Sequence, residues 1–356
     1  MTGPCLDCTR NSLALAVSGA HLEAMRAAWR PKSVLGLEAD ALLRAVGGKA
    51  EAGLHTKLDL AVERARSEEQ ALPSICAACR HQGDFEFPDA LASDPEPPWA
   101  LWVHGSPGAL TRACESPSAG VVGARRADAY GNAVARDIGR AVARAGGTVV
   151  SGLAFGIDAS AHRGALDVEA GATVAVTGGG VDVVYPKAHR QLHREIVDRG
   201  AVVSEMPPGT ALWKWSFPAR NRLIAAISDL VVVVQGARHS GSLHTADAAL
   251  ARNIPVAAVP GRIDAGVSQG SNLLLADGAL VVTEPSVVVR ALGLDPDDKK
   301  AAIKADLVEA CEAISADRVD DYLLQVGTQV GNSRLARLEL LGLAETGTDG
   351  RWRLVG

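Results

Sequence analysis

Four of the six cysteines fall into two Cys-x-x-Cys pairs, Cys5 with Cys8 and Cys76 with Cys79. Thiolates at this spacing suit a tetrahedral zinc ion, and in a cytosolic protein a metal is favoured over disulfides. The expected site is structural and closed, with no open position for catalysis, and His81 stands by as a substitute ligand. Burial as small apolar side chains is the plain alternative, since free cysteine is commonly buried. Cys114 and Cys311 lie outside the pairs.

A second group of residues suits phosphate. Four glycine-bearing segments recur: Val121-Val-Gly-Ala-Arg-Arg126, Ser151-Gly-Leu-Ala-Phe-Gly-Ile-Asp158, Thr177-Gly-Gly-Gly-Val-Asp182 and Gln235-Gly-Ala-Arg-His-Ser-Gly-Ser242. Glycine lets backbone approach a ligand, and a helix start offers unpaired N–H groups to an anion. One such loop is no more than a tight turn requires. Four loops, two of them carrying arginine, favour phosphate binding and single out Gly123, Arg125, Arg126, Ser240, Gly241 and Ser242.

The stretch Lys214-Trp-Ser-Phe-Pro-Ala-Arg-Asn-Arg222 adds three cations, Lys214, Arg220 and Arg222, interleaved with Trp215 and Phe217 and preceded by Trp213. Cations among aromatics fit a single strand, whose bases stack and whose phosphates need neutralising. At least one of the tryptophans is expected to fill the core instead.

Enzymatic readings are weaker. Asp158 and His162 are four residues apart, on one face of a helix, and could form an acid–base pair; a structural role for Asp158 is the better reading. Gly123-Ala-Arg-Arg126 lacks the G-x-G-x-x-G spacing of a dinucleotide site.

These loops need a scaffold that gathers them. Short β-branched runs at Gly120–Val122, Thr148–Val150, Thr173–Thr177, Ala201–Ser204, Leu230–Val234, Val256–Val259 and Ala279–Val282 alternate with helical segments such as Ala129–Ala145 and Ser242–Arg252. Repeated strand-then-helix order with apolar strands predicts an α/β fold, an extended Rossmann-like doubly wound parallel sheet. In such a sheet the loops after the strands share one edge.

An N-terminal helical module is expected over residues 1–95, with helical periodicity in Leu13–Trp29 and Ala39–Val46 and a closing turn at Asp94-Pro-Glu-Pro-Pro98. The Rossmann-like domain takes 96–294 and a charged linker 295–302. Residues 303–356 read as a winged helix: three helical segments, then an alternating hairpin around Asp349-Gly350.

Net charge is −5, which argues against a protein coated in basic surface but leaves room for a local basic groove. No apolar run is long enough to span a membrane and no secretion signal opens the chain, so a cytoplasmic location is expected.

From about Gly120 to Glu284 the sequence resembles the DNA-processing protein A (DprA, or Smf) family through ordered motifs. These include Gly123-Ala-Arg-Arg126, Ser151 to Asp158 with Ala161 to Leu166, Tyr185-Pro186, Ser204-Glu205, Phe217 to Ala225, Ser240 to Thr245, Val259-Pro-Gly261 and Asn272 to Ala279. The resemblance implies a single-stranded-DNA-binding recombination mediator, not an enzyme, that protects incoming DNA and helps load the recombinase RecA in natural transformation. It implies DNA contacts at Arg125, Lys214, Phe217, Arg220 and Arg222, with Ser240, Gly241 and Ser242 donating to phosphate. It also implies a homodimer with Leu275 and Val281 at the contact, and no cofactor for DNA binding. Arg126 stands where the family usually has Lys, and Phe155 where it usually has Arg.

Two rivals follow. The Rossmann variant is similar to that of the lysine-decarboxylase-like phosphoribohydrolases, but the corresponding loop, Ala237 to Ala246, lacks their glutamate. A duplex-DNA-binding regulator would read DNA through Val330–Leu341, with Asn332, Ser333, Arg334 and Arg337.

Overall fold

The computed structural model describes residues 4–25, 35–68, 74–295, 344–346 and 352–354. Seven strands run parallel: β3 (Ser118–Val122), β4 (Thr148–Ser151), β5 (Thr173–Val176), β6 (Ala201–Ser204), β7 (Leu230–Val233), β8 (Val256–Ala258) and β9 (Leu280–Val281). Each coincides with one of the β-branched runs. Two more, β1 (Ile75–Ala78) and β2 (Leu101–Gly105), extend the sheet antiparallel beyond β6, giving the order β1-β2-β6-β5-β4-β3-β7-β8-β9. The sheet therefore begins inside the stretch expected to be purely helical.

The central strands are apolar because both their faces are covered. Val122, Val150, Val174, Val203 and Val231 pack on one side against Leu110, Leu223 and Ala246. Their alternate neighbours Val121, Val149 and Val232 pack on the other against Ile138, Ile157 and Val288. The period of two thus sorts each strand between two cores. On the first side lie the helices Pro107–Glu115, Ser216–Ile227 and Gly241–Leu250. The helices Ala129–Arg144, Ile157–Leu166 and Pro285–Ala291 cover the second. Asp128 starts the Ala129–Arg144 helix by accepting a hydrogen bond from the Gly131 N–H at 2.8 Å, a cap that satisfies an otherwise unpaired donor.

The N-terminal helices Leu6–Val17, Gly19–Met25, Ala39–Gly47 and Glu51–Glu68 make their own core of Leu15, Leu42, Leu43, Leu54 and Leu58. That core is closed from the Rossmann-like side by Met206, Trp215 and Ala219. The Trp215 indole donates to the Gly19 carbonyl at 3.1 Å, and its backbone N–H donates to Glu23 at 3.0 Å. Trp215 is therefore the core tryptophan that the sequence led us to expect, and Trp213 packs beside it.

At the C-terminus, β10 (Ala344–Thr346) pairs antiparallel with β11 (Trp352–Leu354). The three helices expected of the winged-helix module, the linker after Asp295 and the Asp349-Gly350 turn lie outside the described residues.

Candidate nucleic-acid interface

Chain order runs β3, β4, β5, β6 outward to one side, then returns to place β7 on the other side of β3. The carboxyl ends of β3 and β7 therefore flank a reversal of strand order, where open α/β sheets bind ligands. All four glycine-bearing segments emerge along this edge, after β3, β4, β5 and β7.

A crevice opens there, lined by Arg125, Gly152, Phe155, Gly178, Tyr185, Phe217 and Arg220 among others. Arg125 leaves β3 and sets its guanidinium over the Phe217 ring, 4.5 Å from the centroid, a cation–π arrangement. Tyr185 tilts against the same ring at 5.7 Å. It precedes Pro186 through a cis peptide bond. Phe155 stands across the opening, edge-on to His189 at 4.8 Å. Phe155 and Tyr185 are each about half exposed, at 47% and 48%. In a chain with only four Phe and three Tyr, this concentration at one opening is notable.

Beneath this mouth the cations are internal. Arg220 is 5% exposed and donates to the carbonyls of Gly152, at 2.6 Å, and Val176, at the ends of β4 and β5. An added Cβ on Gly152 would fall 2.0 Å from the guanidinium, so glycine is what makes room for it. Asp158 lies 3.8 Å away. Burial pulls the Arg220 guanidinium down to about 10, against the pull of Asp158, so it stays charged at neutral pH. Burial in turn pushes the Asp158 carboxyl up, against Arg220.

Arg222, expected among the DNA contacts, is turned inward instead. It is 3% exposed and donates to Glu205 at 2.5 Å. Glu205 follows β6, where its buried carboxylate needs a counter-charge. Burial raises the Glu205 carboxyl, opposed by Arg222. Arg220 keeps a place in the crevice wall, but its hydrogen bonds go to the protein.

Arg126 and Lys214 are exposed beside the crevice without lining it. Ser240 caps the Gly241–Leu250 helix by accepting from the Ser242 N–H at 3.3 Å, and its hydroxyl meets that of Ser242 at 2.9 Å. Asn221 joins this loop to the crevice helix by donating to the Gly241 carbonyl at 3.1 Å. Gly123 is kept small by Ile157 and the Gln235 carbonyl, which an added Cβ would meet at 2.6 and 2.7 Å.

The acid–base pair of Asp158 and His162 does not assemble. The His162 Nδ1 lies 2.7 Å from the Thr173 hydroxyl, which donates onward to the Val149 carbonyl, and Nε2 has no partner among the described residues. Burial drops His162 to about 3.

Sequence reasoning gave no role to Phe155, Tyr185 or Asn221. An aromatic inside a glycine-rich loop was the available signal for Phe155; Asn221 had none. The expected zinc set also changes: Cys5, Cys8, Cys79 and His81 converge, while Cys76 is absent from the cluster. Strand alternation explains it, since Ala77 and Cys79 face the core that holds Cys8 and Cys76 points the other way. At the far edge of the sheet Leu280 and Val281 are exposed with Leu273, and Leu275 is half-buried.

Fold and site together define a Rossmann-like protein whose strand-reversal crevice is built from cations and aromatic rings. The chain belongs to the DNA recombination-mediator protein A family, whose model matches residues 79–293. A putative DNA processing protein DprA of Mycobacterium tuberculosis is 39% identical over 272 residues, which cover 72% of this chain and 69% of that protein. The DNA processing protein DprA of Bacillus subtilis is 36% identical over 218 residues, 59% of this chain and 72% of that one. The crystal structure of DprA from Streptococcus pneumoniae superimposes with a TM-score of 0.60 at 30% identity, covering 80% of this chain and 94% of that chain. A Helicobacter pylori DNA processing protein A, described for its unique single-stranded DNA binding mode, matches with a TM-score of 0.53 at 30% identity, over 58% of this chain and 93% of that chain.

Proposed function

We propose that this chain binds single-stranded DNA along the carboxyl edge of its parallel sheet and, without catalysing a reaction, helps load RecA during natural transformation. The observation that carries the reading is the Arg125 guanidinium stacked on Phe217 with Tyr185 alongside. Such a mouth offers a base a ring to stack on and a phosphate a cation, with no hydrogen-bond code for sequence. Arg126 and Lys214 extend the positive rim, and beyond Asn221 the Gly241 N–H and the paired hydroxyls of Ser240 and Ser242 supply donors. The single-strand binding of the Helicobacter pylori relative agrees with this use of the fold.

The protein works in the cytoplasm, requires no cofactor for DNA binding, and dimerises through the exposed edge at β9, with Leu275 and Val281 at the contact. The C-terminal hairpin belongs to a winged helix that makes an auxiliary contact. The nucleotide-enzyme reading loses its acid–base pair to Thr173 and Arg220.

Titration of the protein with fluorescent single-stranded and duplex oligonucleotides across a salt series tests the proposal. Salt-sensitive preference for the single strand is expected. Folded protein that ignores single strands at low salt would return the nucleotide-enzyme reading to first place. RecA-dependent strand exchange on strands coated with single-strand-binding protein then tests loading: stimulation is expected, and none would confine the function to DNA protection.

A further inference from the structure

Away from the crevice, one cluster of side chains unites residues more than seventy positions apart. The Sγ of Cys5 lies 3.3 Å from the Nδ1 of His81, and that of Cys8 3.6 Å from the same atom. The Cys5 backbone N–H donates to the Cys79 sulfur at 3.4 Å. All four ligand atoms lie within 4.8 Å of one another. Zinc bonds of about 2.3 Å to sulfur and about 2.0 Å to nitrogen set tetrahedral ligands roughly 3.5 to 3.8 Å apart. The cluster therefore has the size of one ion's coordination shell.

Local structure explains the convergence. Cys5 precedes the Leu6–Val17 helix as its cap residue, and Cys8 sits in the first turn, so one helix start presents both thiols. Cys79 follows β1, and its N–H donates to the Gln82 carbonyl at 2.9 Å. That turn carries His81 back over the thiols. Cys8 and Cys79 are buried, while Cys5 is half-buried and His81 exposed, which leaves an entry path for an ion from solvent.

We propose that Cys5, Cys8, Cys79 and His81 bind one structural zinc ion that fastens the N-terminal helices to the antiparallel edge of the sheet. Sulfur and imidazole donors in a tetrahedral set select zinc over the oxygen-seeking cations. With four protein ligands the site is closed and takes no part in chemistry. Binding displaces the protons of three thiols, so affinity falls as pH falls. The helix that starts at the metal continues into the core closed by Trp215, so the ion steadies the module that backs the crevice helix. The site stands on its own geometry and holds whether or not the crevice binds DNA.

Elemental analysis of the full chain, purified under reducing conditions, should find one zinc per chain. Cobalt(II) added to chelated protein should give the intense visible bands of a tetrahedral thiolate-rich site. Cys76→Ser should keep the full metal complement, Cys79→Ser should lose it, and His81→Cys should keep it with shifted cobalt bands. Because Cys79→Ser can misfold, the cobalt spectrum of the unmodified chain and the retention by Cys76→Ser carry the test. Folded protein with no zinc and no cobalt bands would overturn the proposal. So would loss of metal in Cys76→Ser with retention in His81→Ala.

Discussion

The crevice has a mouth and a floor, and the two use the same residue types for opposite purposes. At the mouth, Arg125 lies over an aromatic ring and Lys214 is exposed. At the floor, Arg220 is sealed from solvent and donates to strand-end carbonyls, and Arg222, buried on the same helix but off the crevice lining, donates to Glu205. An exposed cation is free to exchange counterions for phosphates. A buried one holds strand ends and acidic partners in register, and its removal leaves an uncompensated charge. Proximity to a site is thus no guide to contact with a ligand; the partner of each cation is.

The comparison is broken most directly at the floor. Arg222→Ala should cost about 3–5 kcal/mol of folding stability, because it strands the Glu205 carboxylate. Joint replacement of Glu205 and Arg222 by Leu and Met should recover most of that loss, since apolar pairs of similar size often replace buried ion pairs at little cost. Denaturant unfolding measures both. A loss near zero for the single variant would place Arg222 with the mouth.

His162, fully buried behind the crevice, gives the next effect. Its folded value of about 3 lies below the ordinary histidine value of about 6.5. Between these two values the unfolded chain binds a proton that the folded chain refuses. Stability should therefore be flat in this group above about pH 6.5 and fall on acidification, by up to about 1.4 kcal/mol per pH unit. His193, also lowered by burial, adds in the same direction. His162→Gln should flatten the slope between pH 5 and 7; an unchanged slope would show that His162 does not carry it.

At the mouth the expected changes are in binding. Phe217→Ala should weaken single-strand affinity by about 1–3 kcal/mol, the worth of one stacked base. Arg125→Ala should act more mildly, lowering the salt slope by about 0.7 for the lost phosphate contact and leaving stability within about 0.5 kcal/mol. Anisotropy titrations at several salt concentrations separate the two. A large loss of stability in Arg125→Ala would erase the distinction between mouth and floor.

Sequence revealed the mouth better than the floor for a physical reason. Arg220 and Arg222 look like ligand-facing cations because they sit among aromatics, and their acidic partners, Asp158 and Glu205, lie in other segments. Nothing local distinguishes a paired cation from a free one. Six of the seven parallel strands, β3 to β8, were legible because burial on both faces favours apolar, β-branched-rich runs. Strands β1 and β2 were not: Ile75-Cys-Ala-Ala78 has a single β-branched residue, and Leu101-Trp-Val-His-Gly105 mixes ring and glycine. Missing β1 also hid its alternation, which is why Cys76 looked equivalent to Cys79.

The central claim is that a single strand lies across the mouth of the crevice. Photo-crosslinking of single-stranded DNA carrying 5-iodouracil, followed by mass spectrometry of the peptides, tests it most directly. Adducts at Phe217, Tyr185 or Phe155, diminished in Arg125→Ala, are predicted. Adducts confined to residues 303–356, with the crevice peptides unmodified, would contradict it.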